Sequence, residues 1–513
     1  MRLLRVNLPR FDEVGGLELE LGDQRRADPA LAFMVGPNGS GKSRLLEAMG
    51  HVFAHLAAGV APGFPFEVEY ELGKNRILLS SEKERLRNLG AGSRLPQVGA
   101  WLLVSPTDPF EGWQPDHAQR AWPTYLDEIL PFRVVGISSG PASRLQWALQ
   151  DSVAGTLSLR LAQGDSPSGD RIQERNRELE MDEEVLRNKL RDLVTEPRCM
   201  AIDAGELVMA VLALLSHGSS RRGADERRDE VLGKAGLEID SLRSFSFEIA
   251  GDWRDRLPKE EQRMFATFIE QAVRRVRLAQ LTAESEARDE LIVFIRDPAT
   301  EEWIEQYART PFLWFTRLQV WLKAGAVRAP KLLLSVQGRE GLLRHNDLSD
   351  GEFLYVGRYA LLLLLREHDD CLVLLDEPET HFNDRWKIDL VFDMERILEG
   401  SNAQVVLATH SDLTLTDADR SDVFVFDYGD GANDLNPTAP SISPLGADRS
   451  EITQQVFGAS SSSGRRAIEI VNYALEHGDR DQRQATLRRL GPGFQRFRLR
   501  YALEREKEGD DAA

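Results

Sequence analysis

The sequence predicts an α/β fold with a mixed sheet drawn from both ends of the chain, a large helical insertion between them and a helical C-terminal tail. Three observations carry this prediction. Gly36-Pro37-Asn38-Gly39-Ser40-Gly41-Lys42-Ser43 lies between an apolar run, residues 30–35, and a stretch from Arg44 onward that reads as a helix. A second apolar run, residues 371–375, ends in Asp376-Glu377-Pro378. Between the two, from about residue 142 to 329, the composition turns to charged helix. The expected division is 1–141 for an N-terminal lobe with the glycine-rich loop and 142–329 for the insertion. Residues 330–445 would form a C-terminal lobe and 446–513 the tail.

In order, residues 3–8 and 17–21 read as strands, the second by strict alternation. With 30–35 they are expected to open one sheet. Pro9-Arg10-Phe11 is either a connecting turn or a contact for a base. Residues 66–72 and 76–80, joined by Gly73-Lys74-Asn75, read as a hairpin. Residues 100–104 and 132–137 are buried strands, and Ser138-Ser139-Gly140 is a polar turn expected to face phosphates. In the insertion, Leu179, Leu186, Leu190 and Leu193 share one face of a charged stretch, which suggests a helical hairpin or arm. Residues 204–215 read as a core helix. Phe265, Phe268, Ile269, Ala272, Val273 and Val276 form an amphipathic helical stripe, with Arg274, Arg275 and Arg277 beside it. Residues 331–336 and 341–344 return the chain to sheet. An apolar helix over 353–365, a strand over 403–409 and another over 423–426 follow, the last ending in an acidic turn, 427–431.

Composition bounds the function. At 513 residues, 42% hydrophobic and 29% charged, the chain suits a globular protein with two or three cores. Residues 1–8 are too short and polar for a signal peptide. No apolar run approaches the roughly 20 residues of a membrane span. Cys199 and Cys371, the two cysteines, cannot build a disulfide framework or a zinc site. A cytoplasmic protein with no membrane partner is expected. The net charge of −19 argues against whole-surface attraction to nucleic acid, so any such contact must use a local basic patch. The tail offers one after a serine-rich linker, 460–464: Arg488, Arg489, Arg496, Arg498 and Arg500 lie among Phe494, Phe497 and Tyr501. That pattern suits nucleic acid, docking of an effector subunit or packing on the head.

The glycine-rich loop matches the phosphate-binding pattern G-x-x-x-x-G-K-[ST] in its required strand–turn–helix setting. Its glycines let backbone N–H groups turn inward at a helix N-terminus. Gly36 through Ser43, with Arg44, are therefore the expected nucleotide-binding residues. Lys42 would reach the β- and γ-phosphates, and the Ser43 hydroxyl would help hold Mg²⁺. Asp376 would orient a Mg²⁺-bound water, and Glu377 would accept a proton from the attacking water. Magnesium keeps several waters and needs few carboxylates, so Ser43 and Asp376 suffice. His410 follows the strand at 403–409, at the edge where ligands of open α/β sheets bind, and is placed for the γ-phosphate. ATP and Mg²⁺ are the expected cofactors.

Together these motifs resemble the ABC-type P-loop ATPases, and within them the soluble branch. That branch includes the overcoming-lysogenization-defect (OLD) family and the DNA-repair and chromosome-maintenance ATPases. Leu348-Ser349-Asp350-Gly351-Glu352 resembles the branch's signature sequence, with Asp350 where Gly or Ser is usual. Asp376 to His381 is similar to the OLD-type motif, from which Phe382, Asn383 and Asp384 depart. Residues 51–140 resemble the ATPases of bacterial anti-phage systems, Septu-type and restriction-associated. The resemblance implies an ABC-type head that hydrolyses ATP and sandwiches nucleotide between two copies in a homodimer or larger assembly. Ser349, Gly351 and Glu352 would bind in trans at the partner's Lys42 site. Gln146 is a counterpart of the family's Q-loop glutamine, with Ser138 competing for the role. An effector subunit, a nuclease by preference, is the implied partner, and a nucleic-acid partner stays open. A DNA-repair or recombination ATPase acting directly on DNA, an OLD-like nuclease and a transporter's nucleotide-binding subunit are the rival readings. The remaining hundred or so residues after His410 read as helix and loop, so a Toprim nuclease domain is not expected.

Overall fold

The computed structural model describes residues 1–11, 16–21, 29–81, 99–103, 113–115, 129–139, 144–164, 197–217, 233, 239–271, 274–277, 289–294, 304–337, 340–427, 435, 437–459, 461 and 463–510. At its centre is a six-stranded parallel sheet in the order β17 (Val423–Val425), β3 (Ala30–Val35), β16 (Gln404–Thr409), β15 (Cys371–Asp376), β8 (Arg133–Ser138), β9 (Cys199–Ile202). Every residue of β3 and β16 is buried, as parallel strands covered on both faces must be. Alternate residues enter two different cores. Leu31, Phe33, Val35, Val373, Leu375, Val405 and Leu407 join one, while Ala32, Met34, Leu372, Leu374, Val406 and Ala408 join the other.

Helix α1 (Lys42–Ala57) follows β3 and covers the second face. Beyond it lies an antiparallel sheet in the order β2 (Leu17–Glu20), β1 (Arg2–Leu8), β4 (Glu67–Leu72), β5 (Asn75–Ser80), β6 (Gly99–Leu103), β7 (Trp113–Pro115). The expectation that β1, β2 and β3 share a sheet is thus corrected. The burial of β2 alternates, so it suits a sheet with one wet face, whereas β3 needs cover on both. The β4–β5 hairpin is found, with Leu72 paired to Asn75.

The insertion is helical but not only helical. Strand β9 extends the parallel sheet beyond β8. Helix α2 (Ser152–Gly164) is entered through a π-helical turn, Trp147–Asp151, and α3 (Leu207–Ser216) is buried along its whole length. A third sheet runs β11 (Arg274–Arg277), β12 (Asp289–Phe294), β10 (Ile239–Ile249), β13 (Val327–Val336), β14 (Leu342–Arg344). The amphipathic stripe holds for Phe265, Phe268 and Ile269 on α4 (Lys259–Gln271). Val276 and the three arginines belong instead to β11, a strand at the sheet's edge, a position where charged residues discourage further pairing. Leu179, Leu186, Leu190 and Leu193 lie outside the described residues, as do Gly140 and 428–431.

On the other face of the parallel sheet pack α3, α5 (Pro311–Lys323), α6 (Asp350–Leu365) and α7 (Asp384–Leu398). After β17 the chain forms α8 (Arg449–Gln455), then the tail helices α9 (Arg465–His477), α10 (Arg480–Arg489) and α11 (Phe494–Asp510). These three close on a small core of their own, Val471, Ala474 and Leu499, flanked by Leu475, Leu487 and Leu490. Among the described residues no helix is long and apolar enough to cross a membrane.

Candidate active site

Four neighbouring parallel strands, β3, β16, β15 and β8, end at one edge of the sheet. Their register sets Val35 beside Thr409, Ala408 beside Asp376, and Asp376 beside Ser138. Whatever follows each strand is therefore delivered to a single crevice. The glycine-rich loop follows β3, His410 follows β16, Asp376 and Glu377 close β15, and Ser138-Ser139 close β8.

The loop turns tightly enough to need glycine. Gly36 has φ +140°, and a Cβ there would overlap the carbonyl oxygen of Phe426. Lys42 opens α1 and is buried, with its Nζ donating to the carbonyls of Gly36 and Pro37, both at 2.8 Å. Burial lowers its pKa to about 8, opposed by the charges of Glu377 and Asp376. The Ser43 hydroxyl donates to Asp376 Oδ1 at 2.8 Å, across 333 positions of sequence. Burial pushes the Asp376 carboxyl above its ordinary value, the Ser43 bond opposes this, and the charge of Glu377 adds to it. Ser40 is buried within the loop, Arg44 is half-buried, and Asn38 and Gly39 are exposed at its tip.

Glu377 stands in the left-handed region at φ +50°, a conformation that non-glycine residues adopt mainly where surrounding contacts impose it. Here its N–H donates to Ala408 O at 2.9 Å, and its carbonyl accepts from the Ser139 hydroxyl and from Thr380 N. Its side chain remains half-exposed, with Oε1 3.2 Å from His410 Nε2. Burial and the charge of Lys42 lower the pKa of His410, while the charge of Glu377 opposes them.

Residues not assigned a role from the sequence hold this turn. Arg358 of α6 is buried and donates to the carbonyl of Pro378 and to Ser139 Oγ, the latter at 2.8 Å. Glu379 is buried, and its Oε1 accepts from the Thr409 hydroxyl and, at 3.1 Å, from His410 N. A single arginine inside the apolar run 353–365 was the available signal for the first. A third acid after Asp376-Glu377 was the signal for the second. Of the polar turn after β8, Ser139 touches the Asp376–Glu377 backbone. Gln146 instead donates to Asp151 at 3.3 Å and lines a cavity of about 460 Å³ with Met200, Glu206, Gln319 and Lys323. Phe11 of the proposed base contact packs edge-on against Phe64, with ring centres 4.7 Å apart.

Ser349, Gly351 and Glu352 lie apart from this cluster, at the N-terminus of α6. Ser349 caps the helix in a reciprocal box: its N–H and hydroxyl donate to Glu352 Oε2 at 2.8 and 2.7 Å, and its Oγ accepts from Glu352 N. Ser349 is exposed, and Gly351 is buried with room for no Cβ, which would lie 2.5 Å from the His381 carbonyl oxygen. Glycine at 351 therefore has a packing reason within one chain.

The donor set fits a magnesium-bound polyphosphate. Among the described residues no group of three or more His, Cys, Asp or Glu side chains could hold a metal by itself. One serine and one aspartate at hydrogen-bond distance are what Mg²⁺ requires when phosphates and water complete its shell. No protein-family model matches the chain. Among solved structures, similarity is found to an Smc head bound to the C-winged helix domain of ScpA, at 11% identity over 86% of this chain and 98% of that one, TM-score 0.36. An Smc head with an extended coiled coil bound to the C-terminal domain of ScpA, from Pyrococcus furiosus, matches at 13% identity over 86% and 96%, TM-score 0.34. The SMC head domain from Thermotoga maritima matches at 13% identity over 86% and 100%, TM-score 0.32.

Proposed function

We propose that the protein binds ATP with Mg²⁺ and hydrolyses it, and that nucleotide-driven pairing of two copies switches a partner effector. The observation that carries the enzymatic part is the 2.8 Å contact between Ser43 and Asp376, with Lys42 on one side and Glu377 and His410 on the other. Bound magnesium would neutralise phosphate charge between Ser43 and Asp376. Lys42 and the backbone N–H groups at the start of α1 would hold and orient the phosphates. Glu377 is the general base: its carboxylate is accessible, its backbone is fixed, and the His410 imidazole lies 3.2 Å from one of its oxygens. Arg358 and Ser139 position that turn.

The dimeric part rests on the resemblance of Leu348 to Glu352 to the signature sequence. Ser349 stands exposed, with Glu352 half-buried beside it, at the positive end of a sixteen-residue helix, suitable for a phosphate carried by a second copy. Control of an effector, a nuclease by preference, in bacterial anti-phage defence rests on the resemblance of residues 51–140 to defence ATPases. Two variants test the enzymatic reading by ATP binding and turnover. Lys42→Ala should abolish nucleotide binding. Glu377→Gln should bind ATP, sediment as a dimer or larger assembly with it, and turn over at least ~100-fold more slowly, the lower end of general-base contributions. Normal hydrolysis by Glu377→Gln would remove Glu377 from the role.

A further inference from the structure

The tail helices place an unusual surface on the outside. On α11, Gln495, Leu499 and Leu503 recur every four residues and face the small tail core, at 7, 0 and 8% exposure. Phe494, Phe497 and Tyr501, at i, i+3 and i+7, lie on the opposite side of the helix and are 65, 62 and 48% exposed. They therefore do not pack on the head, which removes one of the readings their sequence allowed. The rings of Phe497 and Tyr501 are nearly parallel, 6.0 Å between centres and 18° between planes. The guanidinium of Arg505 sits 5.2 Å from the Tyr501 ring centre.

Arginines border this stripe. Arg496 and Arg500 follow one side of it, and Arg496 donates to the carbonyl of Leu490 beside the exposed Arg488 and Arg489 at the end of α10. Arg498 is engaged with Asn472 and Gln495 and Arg500 with Glu504, so Glu504 marks where the basic zone ends. From 465 to 505 the chain has ten arginines and no lysine. A planar guanidinium grips phosphate through two N–H groups and stacks on rings, which an ammonium does not. The outward apolar residues of this half of α11 are aromatic and none is aliphatic. Helix-docking seams are filled mainly by Leu, Ile and Val, whereas flat rings bordered by cations are the platform on which unpaired bases stack.

We infer that the outer face of α11 binds single-stranded nucleic acid, with bases stacking on Phe494, Phe497 and Tyr501 and phosphates held by Arg488, Arg489, Arg496 and Arg500. A duplex keeps its bases stacked on each other and cannot use the rings, so the site discriminates against it. The grip is local: the net charge of −19 repels polyanions elsewhere on the molecule.

The test is fluorescence anisotropy of the full chain with labelled oligo(dT) and oligo(rU) of about twenty nucleotides and with a duplex of similar length. The two single strands separate DNA from RNA as the source of the shared chemistry. Binding of at least one single strand should weaken with salt with a log–log slope of about −3, from four phosphate contacts. The pair Phe497→Ala and Tyr501→Ala should weaken it by at least ~30-fold, since each stacked base contributes roughly 1–3 kcal/mol. Phe497→Trp should retain it. Unchanged thermal melting and unchanged ATP turnover of the alanine variant show that the chain is folded, and keep failure of this site distinct from failure of the nucleotide site. Three results would overturn the inference: no single-strand binding by the wild-type chain at low salt, binding that the alanine pair leaves intact, or an alanine pair that alters only the sedimenting mass. The last would assign the face to a protein partner or a second copy.

Discussion

The crevice at the edge of the parallel sheet and the outer face of the tail both carry charged and aromatic groups, yet they are built in opposite ways. In the crevice each functional group is held by partners, within the loop for Lys42 and from remote parts of the chain for Ser43 and Glu377. Lys42 is fixed by two carbonyls, Ser43 by Asp376, and Glu377 by Ala408 and Ser139. On the tail, Phe494, Phe497 and Tyr501 stand on helices that close on a small apolar core of Val471, Ala474 and Leu499. The first arrangement fixes geometry before a ligand arrives, as transition-state stabilisation requires. The second leaves surface for something to be laid upon. The difference teaches that burial and partner count, more than residue type, separate a preorganised crevice from an open face.

The contrast can be broken or sharpened by measurement. The largest effect is expected from Arg358→Ala, which strips the support from the Pro378 carbonyl and Ser139. Two bonds from a buried charged group should amount to about 3–5 kcal/mol of head stability, and turnover should fall because Glu377 loses its fixed backbone. A variant that melts earlier but turns over normally would reduce Arg358 to a packing residue. Next, Leu499→Ala should destabilise the tail by about 2–4 kcal/mol, read as faster hydrogen exchange in α9 to α11, with ATP turnover of the head unchanged. Loss of turnover would show that the two regions are one cooperative unit.

The smallest effect concerns protons. With its pKa lowered to about 8, Lys42 is largely charged at pH 7 and largely neutral at pH 8.5. The charged form is the one disfavoured by folding, so this residue's penalty to stability is present below about 8 and fades as pH rises towards the ordinary lysine value. A polyphosphate restores the charge. Nucleotide binding should therefore take up protons, more at pH 8.5 than at pH 7. Calorimetry in buffers of different ionisation enthalpy measures this directly. Heats independent of buffer across that range would show that Lys42 does not meet the phosphates.

Much of the crevice is legible in the amino-acid sequence because its parts are local. A phosphate loop needs its glycines, lysine and serine consecutively between a strand and a helix, and β15 ends in its two acids without reference to any other segment. The boundaries of the sheets are less legible. Alternation marks β2 as half-wet and continuous apolarity marks β3 as doubly covered, but only the covering elements separate them into two sheets. Strands β10 to β12 escaped the expected helical insertion because pairing partners far apart in sequence override local helical composition. Arg358 and Glu379 were hidden for the same reason: a buried charge acquires its role from the carbonyls and hydroxyls brought to it.

By itself the sequence determined the chemistry on offer: the consecutive residues of the loop, the acids after an apolar strand, the histidine after another, and a tail rich in arginine and aromatics. Those depend on residue type and near-neighbour spacing, which the chain carries in one dimension. Tertiary structure alone decided that Ser43 touches Asp376 across 333 positions, that Arg358 in the middle of a helix braces the turn at Glu377, and that the rings of the tail face outward. Those outcomes follow from which strands lie side by side and which helix faces are covered, and burial free energy settles both only when the whole chain is packed.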